Sequence, residues 1–175
     1  MNITLHRTLR VCMLAGALAL TIALVAAKDV SAAPSPERAG GATQISGVAL
    51  FDVDDICDSE SVGADYALLM SGDLEGCLYT FVDTENARRS PSGTYLETGT
   101  ETFVASDGSG TFRTTYRFEA KYEDPTDPAT EIFGRCQHPI VEGSGRGIYE
   151  GVSGELFFKD DVVTGEYFYR GHLRY

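Results

Sequence analysis

From Thr111 to Glu123 the side chains alternate without a break. Phe112, Thr114, Tyr116, Phe118, Ala120 and Tyr122 fall on one face, and Arg113, Thr115, Arg117, Glu119, Lys121 and Glu123 on the other. Successive side chains of a strand point to opposite sides, so this period of two predicts a strand with one buried and one wet face. Weaker signals of the same kind predict strands at Ile45–Val53, Tyr66–Met70, Leu74–Val82, Thr94–Val104, Ile132–Val141, Gly154–Asp161 and Glu166–Tyr175. Ser71-Gly72-Asp73 separates two of these as a turn, or bulges one long strand. Asp107-Gly108-Ser109-Gly110 predicts a hairpin turn, and Asp124-Pro125 with Asp127-Pro128 ends the alternating strand. Thr84–Gly93, with Pro91, predicts a polar loop, and Gly165 a turn into the last strand. Helical periodicity is confined to about one turn near Ile148–Val152. Short antiparallel strands joined by tight turns make a sandwich or a barrel. A last strand running to Tyr175 favours the barrel, because it can close against an early strand and remove both edges.

The stretch Glu131–Phe158 organises the second half of this pattern. Two apolar runs flank a connection holding Gly143, Gly145, Gly147, Gly151 and Gly154, a density that marks a tight corner between strands. The spacing of the first three glycines falls short of a dinucleotide fingerprint. That motif needs a strand before and a helix after, and here the following stretch reads as strand. No cofactor is expected.

The start of the chain follows different rules. His6, Arg7 and Arg10 precede an apolar run at Val11–Ala27, and Val30-Ser31-Ala32 offers small or slim residues where a signal peptidase reads. Residues 1–32 are therefore predicted to be a secretory signal cleaved after Ala32. The run is short for a retained membrane anchor, which needs about 20 residues. Cys12 opens the apolar run rather than following it, which argues against a lipoprotein anchor. Residues 33–44, rich in Pro, Gly and Ser, predict a flexible lead-in, and residues 45–175 a single β domain.

Charge narrows the partners. Removing residues 1–32 takes away Arg7, Arg10, Lys28 and Asp29, so 14 basic and 26 acidic side chains become 11 and 25, and the formal charge moves from −12 to −14. Such a surface repels phosphate backbones, so no nucleic-acid partner is expected, and after signal cleavage no membrane association either. The acidic patch Asp52, Asp54, Asp55, Asp58 and Glu60 lacks the glycine and the flanking helices of a calcium-binding loop, so no metal site is assigned to it. Cys57, Cys77 and Cys136 remain beyond residue 32. In an oxidising compartment they predict one disulfide and one leftover thiol, with three pairings open, or an intermolecular bond.

Several glycine and strand motifs occur in a set order: SGDLEG at Ser71–Gly76, GTYLETGTETFVAS at Gly93–Ser106, GSGTF at Gly108–Phe112, and Gly143-x-Gly145-x-Gly147-x-Tyr149-x-Gly151-x-x-Gly154-x-Leu156-Phe157. In that order they resemble an uncharacterised bacterial family with an allene-oxide-cyclase-like, dirigent-like barrel, over roughly residues 66–175. The resemblance implies an all-β, calycin-like fold: a single eight-stranded antiparallel barrel whose interior is filled or encloses one small ligand. Allene oxide cyclase rearranges a fatty-acid epoxide and dirigent proteins guide phenoxy-radical coupling. No catalytic motif of either family can be carried onto residues of this chain, so neither activity transfers.

The candidate chemistry lies on strands. His138 shares a face with Ile132, Gly134, Cys136 and Ile140. Turned inward, it could do acid–base work; the plain alternative is a hydrogen-bonded core histidine beside a packed or disulfide-bonded Cys136. Glu97 and Glu101 share a face with Tyr95, Gly99 and Phe103, while Leu96, Val104 and four threonines hold the other. Either face could be internal, and the two carboxylates would stand roughly 13 Å apart along the strand, too far for a dyad. His138, Glu97 and Glu101 are thus the candidate catalytic residues. Tyr95, Phe112, Tyr116, Phe118, Tyr122 and Cys136 are the candidate lining for a ligand. The leading functional reading is a secreted barrel that binds a small apolar or aromatic ligand. The alternatives are an interaction or inhibitor module with a packed core, and a cyclase- or isomerase-type enzyme using His138.

Overall fold

The alternating stretch forms β6 (Gly110–Tyr122), the longest strand, and pairs on one side with β5 (Thr94–Ala105) across the Asp107-Gly108 turn. The computed structural model describes residues 41–52 and 54–175. The predicted signal segment 1–32 and most of the predicted lead-in lie outside the described residues. The remaining strands are β1 (Thr43–Phe51), β2 (Tyr66–Gly72), β3 (Gly76–Val82), β7 (Glu131–Pro139), β9 (Ser153–Asp161) and β10 (Glu166–Arg174). Two-residue strands β4 (Arg88–Arg89) and β8 (Arg146–Gly147) are laid along β5 and β6. Ser71-Gly72-Asp73 is the turn between β2 and β3, not a bulge in one strand.

Every contact between the long strands is antiparallel. The ring runs β5–β3–β2–β1–β10–β9–β7–β6 and returns to β5, an all-β closed barrel of eight strands. The last strand meets the first, with Thr43 opposite Leu173, so neither edge is left open. The stretch Ile148–Val152 forms turns rather than a helical turn, and the described residues hold one short 3₁₀ segment, Pro128–Thr130, capped by the Asp127 side chain.

The inside of the barrel is of two kinds. At one end Phe103, Phe112 and Tyr149 meet with ring centroids 5.0–5.8 Å apart. Leu74, Leu78, Val152 and Leu156 fill the space around them, all fully buried. Tyr149 and Val152 come from the glycine corner, whose backbone is tied to β6 by Val141 N–H to Arg113 O and to the turn before β6 by Ile148 N–H to Ser109 O. The corner is therefore more than a turn: it folds over this end and plugs it. Toward the other end the core gives way to aromatic side chains with space between them.

Cys57 and Cys77 form the disulfide, tying the loop after β1 to β3, and Cys136 is a buried free thiol. Closing a loop with a sequence separation of 20 restricts the unfolded chain by about 3 kcal/mol. The acidic patch is shaped by the same loop, where the Asp52 carboxylate accepts the Ile56 and Cys57 amides at 2.9 and 2.6 Å.

Candidate functional site

A cavity of about 350 Å³ occupies the hollow half of the barrel. Its wall is aromatic, with Tyr66, Tyr116, Phe118, Tyr122, Phe158 and Tyr167 contributed by four strands. Phe51 stands at the rim, edge-on to both Tyr66 and Tyr167 at 5.3 Å. Strand alternation puts these rings inside.

The floor is polar and fully enclosed. Glu101 and His138 are each about 2% exposed, and Glu101 Oε2 lies 2.6 Å from His138 Nδ1. The Thr114 hydroxyl donates to the same oxygen at 2.5 Å, and Thr80 Oγ1 sits 3.5 Å from Oε1. A carboxylate only accepts, so the proton of this contact belongs to Nδ1 and the ring is fixed with Nε2 as its free atom. The imidazole is held between Phe158, at 4.3 Å, and Tyr116, at 6.1 Å. His138 Nε2 is buried and, among the described residues, has no hydrogen-bond partner.

Glu97 stands on the same face of β5 but in a separate network, receiving Tyr95 OH at 2.5 Å and Tyr116 OH at 2.7 Å. Tyr116 can cross to it because Gly99 leaves the strand bare where the ring lies; a Cβ there would meet the ring edge. Burial pushes the hydroxyls of Tyr66, Tyr116 and Tyr167 up, with nearby carboxylates adding to the effect, so all three stay protonated donors. Burial, then the fields of Glu101, Asp160 and Glu97, push the Cys136 thiol up as well, which makes it a wall residue and not a nucleophile.

Near the rim lies a carboxyl pair that strand periodicity alone does not reveal. Glu131 and Asp160 converge over Gly134, their oxygens taking the space that a Cβ would need. Burial, reinforced by the hydrogen bond that protonated Asp160 donates to Glu131 and by the Glu131 charge, pushes Asp160 up from 3.8 to about 7. The two acids thus hold a proton between them at neutral pH. Glu131 escapes the period-two reading because β6 and β7 slip at Lys121/Tyr122: Lys121 pairs with Phe133 but Tyr122 with Glu131. The irregularity carries Glu131 to the inner side and leaves Ile132, on the predicted His138 face, 54% exposed.

The candidate residues thus separate. His138, Glu97, Glu101, Tyr116, Phe118, Tyr122 and Cys136 all line the cavity. Phe112 does not; it sits in the plugged end, because alternation reports which face a residue takes and not its depth along the barrel. Tyr95 stands behind the wall, its ring against Phe118 and Tyr122 and its hydroxyl on Glu97, with the Arg89 guanidinium 5.3 Å away. No family model, curated protein or solved structure matches this chain.

The raised Asp160 sets a pH dependence. Between its unfolded value near 3.8 and its folded value near 7 the unfolded chain gives up the proton while the folded chain keeps it, so stability falls as pH rises through that window. Asp160→Asn is expected to flatten that decline and to be more stable than the parent at pH 8, as thermal melts at pH 4–8 would record. An unchanged pH slope would mean that the pair does not share a proton.

Proposed function

We propose that this protein is a binding protein for a small ligand with an apolar or aromatic body, held in the hollow half of the barrel. The observation that carries the reading is the juxtaposition of an aromatic wall with a buried His138 Nε2 that faces no protein partner. Specific small-molecule sites have this composition: mostly apolar walls with a few polar atoms that set orientation. The cavity favours this over a packed interaction module. We further propose kinship with the cyclase- and dirigent-like barrels, supported by the eight-stranded ring and the glycine order. Secretion through a cleaved segment 1–32 belongs to the same proposal, and the Cys57–Cys77 disulfide fits an oxidising compartment.

A neutral fluorescent probe, N-phenyl-1-naphthylamine, tests the binding reading. Its emission is expected to rise to saturation with one probe per chain, and Cys136→Leu, which adds bulk to the middle of the wall, should weaken that binding at least tenfold. No saturable signal, or an equal one in the filled variant, would contradict it.

One feature favours a second reading. A carboxylate on Nδ1 of a cavity-lining histidine, with Nε2 left unpaired, is the arrangement that positions a histidine as an acid–base group. In that case Glu101 is the positioning residue, His138 moves the proton, and the reaction is of isomerase or cyclase type. Recovery of a natural ligand chemically altered would favour it; recovery intact favours binding alone.

A further inference from the structure

Among the described residues, three buried side-chain atoms have no hydrogen-bond partner: Glu131 Oε1, Asp160 Oδ1 and His138 Nε2. All three residues line the same cavity. Leaving a buried polar atom unpaired costs about 1–3 kcal/mol, so three around one space mark what the space is built to receive. The two carboxyl oxygens are acceptors. With Nδ1 carrying the proton bonded to Glu101, Nε2 accepts as well when the imidazole is neutral.

The charges around the cavity point the same way. Glu97, Glu101, Glu131 and Asp160 line it, and no lysine or arginine does. The Arg89 guanidinium lies 5.1 Å from the Tyr122 ring but is not part of the cavity lining. The fields of Glu97, Glu131 and Asp160 all reach Tyr122, and those of Glu97, Glu101 and Asp160 all reach Cys136. An anionic ligand would enter this field against repulsion, with no donor cation to meet it. An ammonium group meets two carboxyls and the faces of tyrosine and phenylalanine rings, and aromatic rings attract cations in addition to burying apolar surface. A metal ion is a poorer fit: among the described residues no group of three or more histidine, cysteine or acidic side chains converges as ligands would.

We infer that the barrel cavity selects organic amines: an ammonium seated on Glu131 and Asp160 near the rim, with an apolar or aromatic body reaching inward along the tyrosine and phenylalanine wall. The inference rests on the binding reading above and names its ligand class. It also separates this site from one that would take a fatty-acid carboxylate. Where the ammonium arrives, it replaces the proton that Glu131 and Asp160 share, so binding near pH 6 releases protons. The groups facing Asp160 are Glu131 and Cys136 from β7, Tyr122 from β6 and Tyr167 from β10. Of these only Asp160, through the proton it shares with Glu131, changes charge between pH 5.5 and 8.

Three compounds sharing one body decide the point: 4-phenylbutylamine, 4-phenylbutanol and 4-phenylbutyrate, each used to displace N-phenyl-1-naphthylamine from the full chain. At pH 8 the amine is expected to bind at least tenfold more tightly than the alcohol, and the carboxylate more weakly than either. The amine-to-alcohol ratio should shrink severalfold at pH 5.5 and by about tenfold in Asp160→Asn. Titration calorimetry at pH 6 in buffers of different ionisation enthalpy should show proton release with the amine and none with the alcohol. Equal affinities for the three, or a preference for the carboxylate, would overturn the charge selection while leaving the binding reading standing. If neither the naphthylamine nor any of the three binds, the binding reading itself fails and this inference with it.

Discussion

Glu101→Leu is expected to lose about 3–5 kcal/mol of stability, the cost of breaking a buried pair on one side. For a folded domain of this size that lowers Tm by roughly 10–15 °C. The reason lies in the floor of the cavity. Glu101 accepts from His138 and Thr114, both closed off from water, and removing its carboxylate strands the Nδ1 proton and the Thr114 hydroxyl together. Replacing Glu101 and His138 together by leucine should recover most of the loss, because the stranded donor disappears with its partner. A thermodynamic cycle over the parent, the two single variants and the double variant gives the coupling directly. Additive losses would mean that the pair is not a unit.

The second large effect separates the two ends of the barrel. Phe103→Ala, in the plugged half against Phe112 and Tyr149, is expected to cost about 3–5 kcal/mol, since the surrounding rings are locked and the void stays open. Phe118→Ala, on the cavity wall, should cost no more than about 2 kcal/mol, because part of that ring already faces empty space and has fewer packing partners to lose. Urea midpoints for the two variants measure the contrast. Equal losses would mean that the barrel is filled along its whole length.

These outcomes depend on features that the amino-acid pattern reveals unequally. The alternation in β6 predicts its inner face in full, from Phe112 to Tyr122, because a period of two needs only local chain. The face of β5 could not be chosen from its sequence, since Glu97, Glu101 and Phe103 compete with Leu96, Val104 and four threonines. The choice is made by Thr114 on β6 and His138 on β7, 13 and 37 residues further on. Glu131 was hidden for a different reason. A register slip between β6 and β7 reverses the alternation just before Ile132, and nothing in the spacing announces it. The Cys57–Cys77 pairing likewise depends on how the loop after β1 folds back onto β3, where Tyr79 OH reaches Cys57 O at 2.6 Å. The glycine corner could be recognised as a turn, but its service as a plug depends on Tyr149 reaching Phe103 and Phe112 across the barrel.

The hollow half, with His138 at its floor, is the proposed ligand site. The most direct measurement is the side-chain ¹H–¹⁵N spectrum of the histidines as N-phenyl-1-naphthylamine is titrated into the protein. The Nε2 resonance of His138 is expected to shift and saturate with the fluorescence, while His172, which alternates outward on β10 beside buried Leu173, stays in place. A His138 signal that does not move while the probe binds would place the ligand outside the hollow half and contradict a site there.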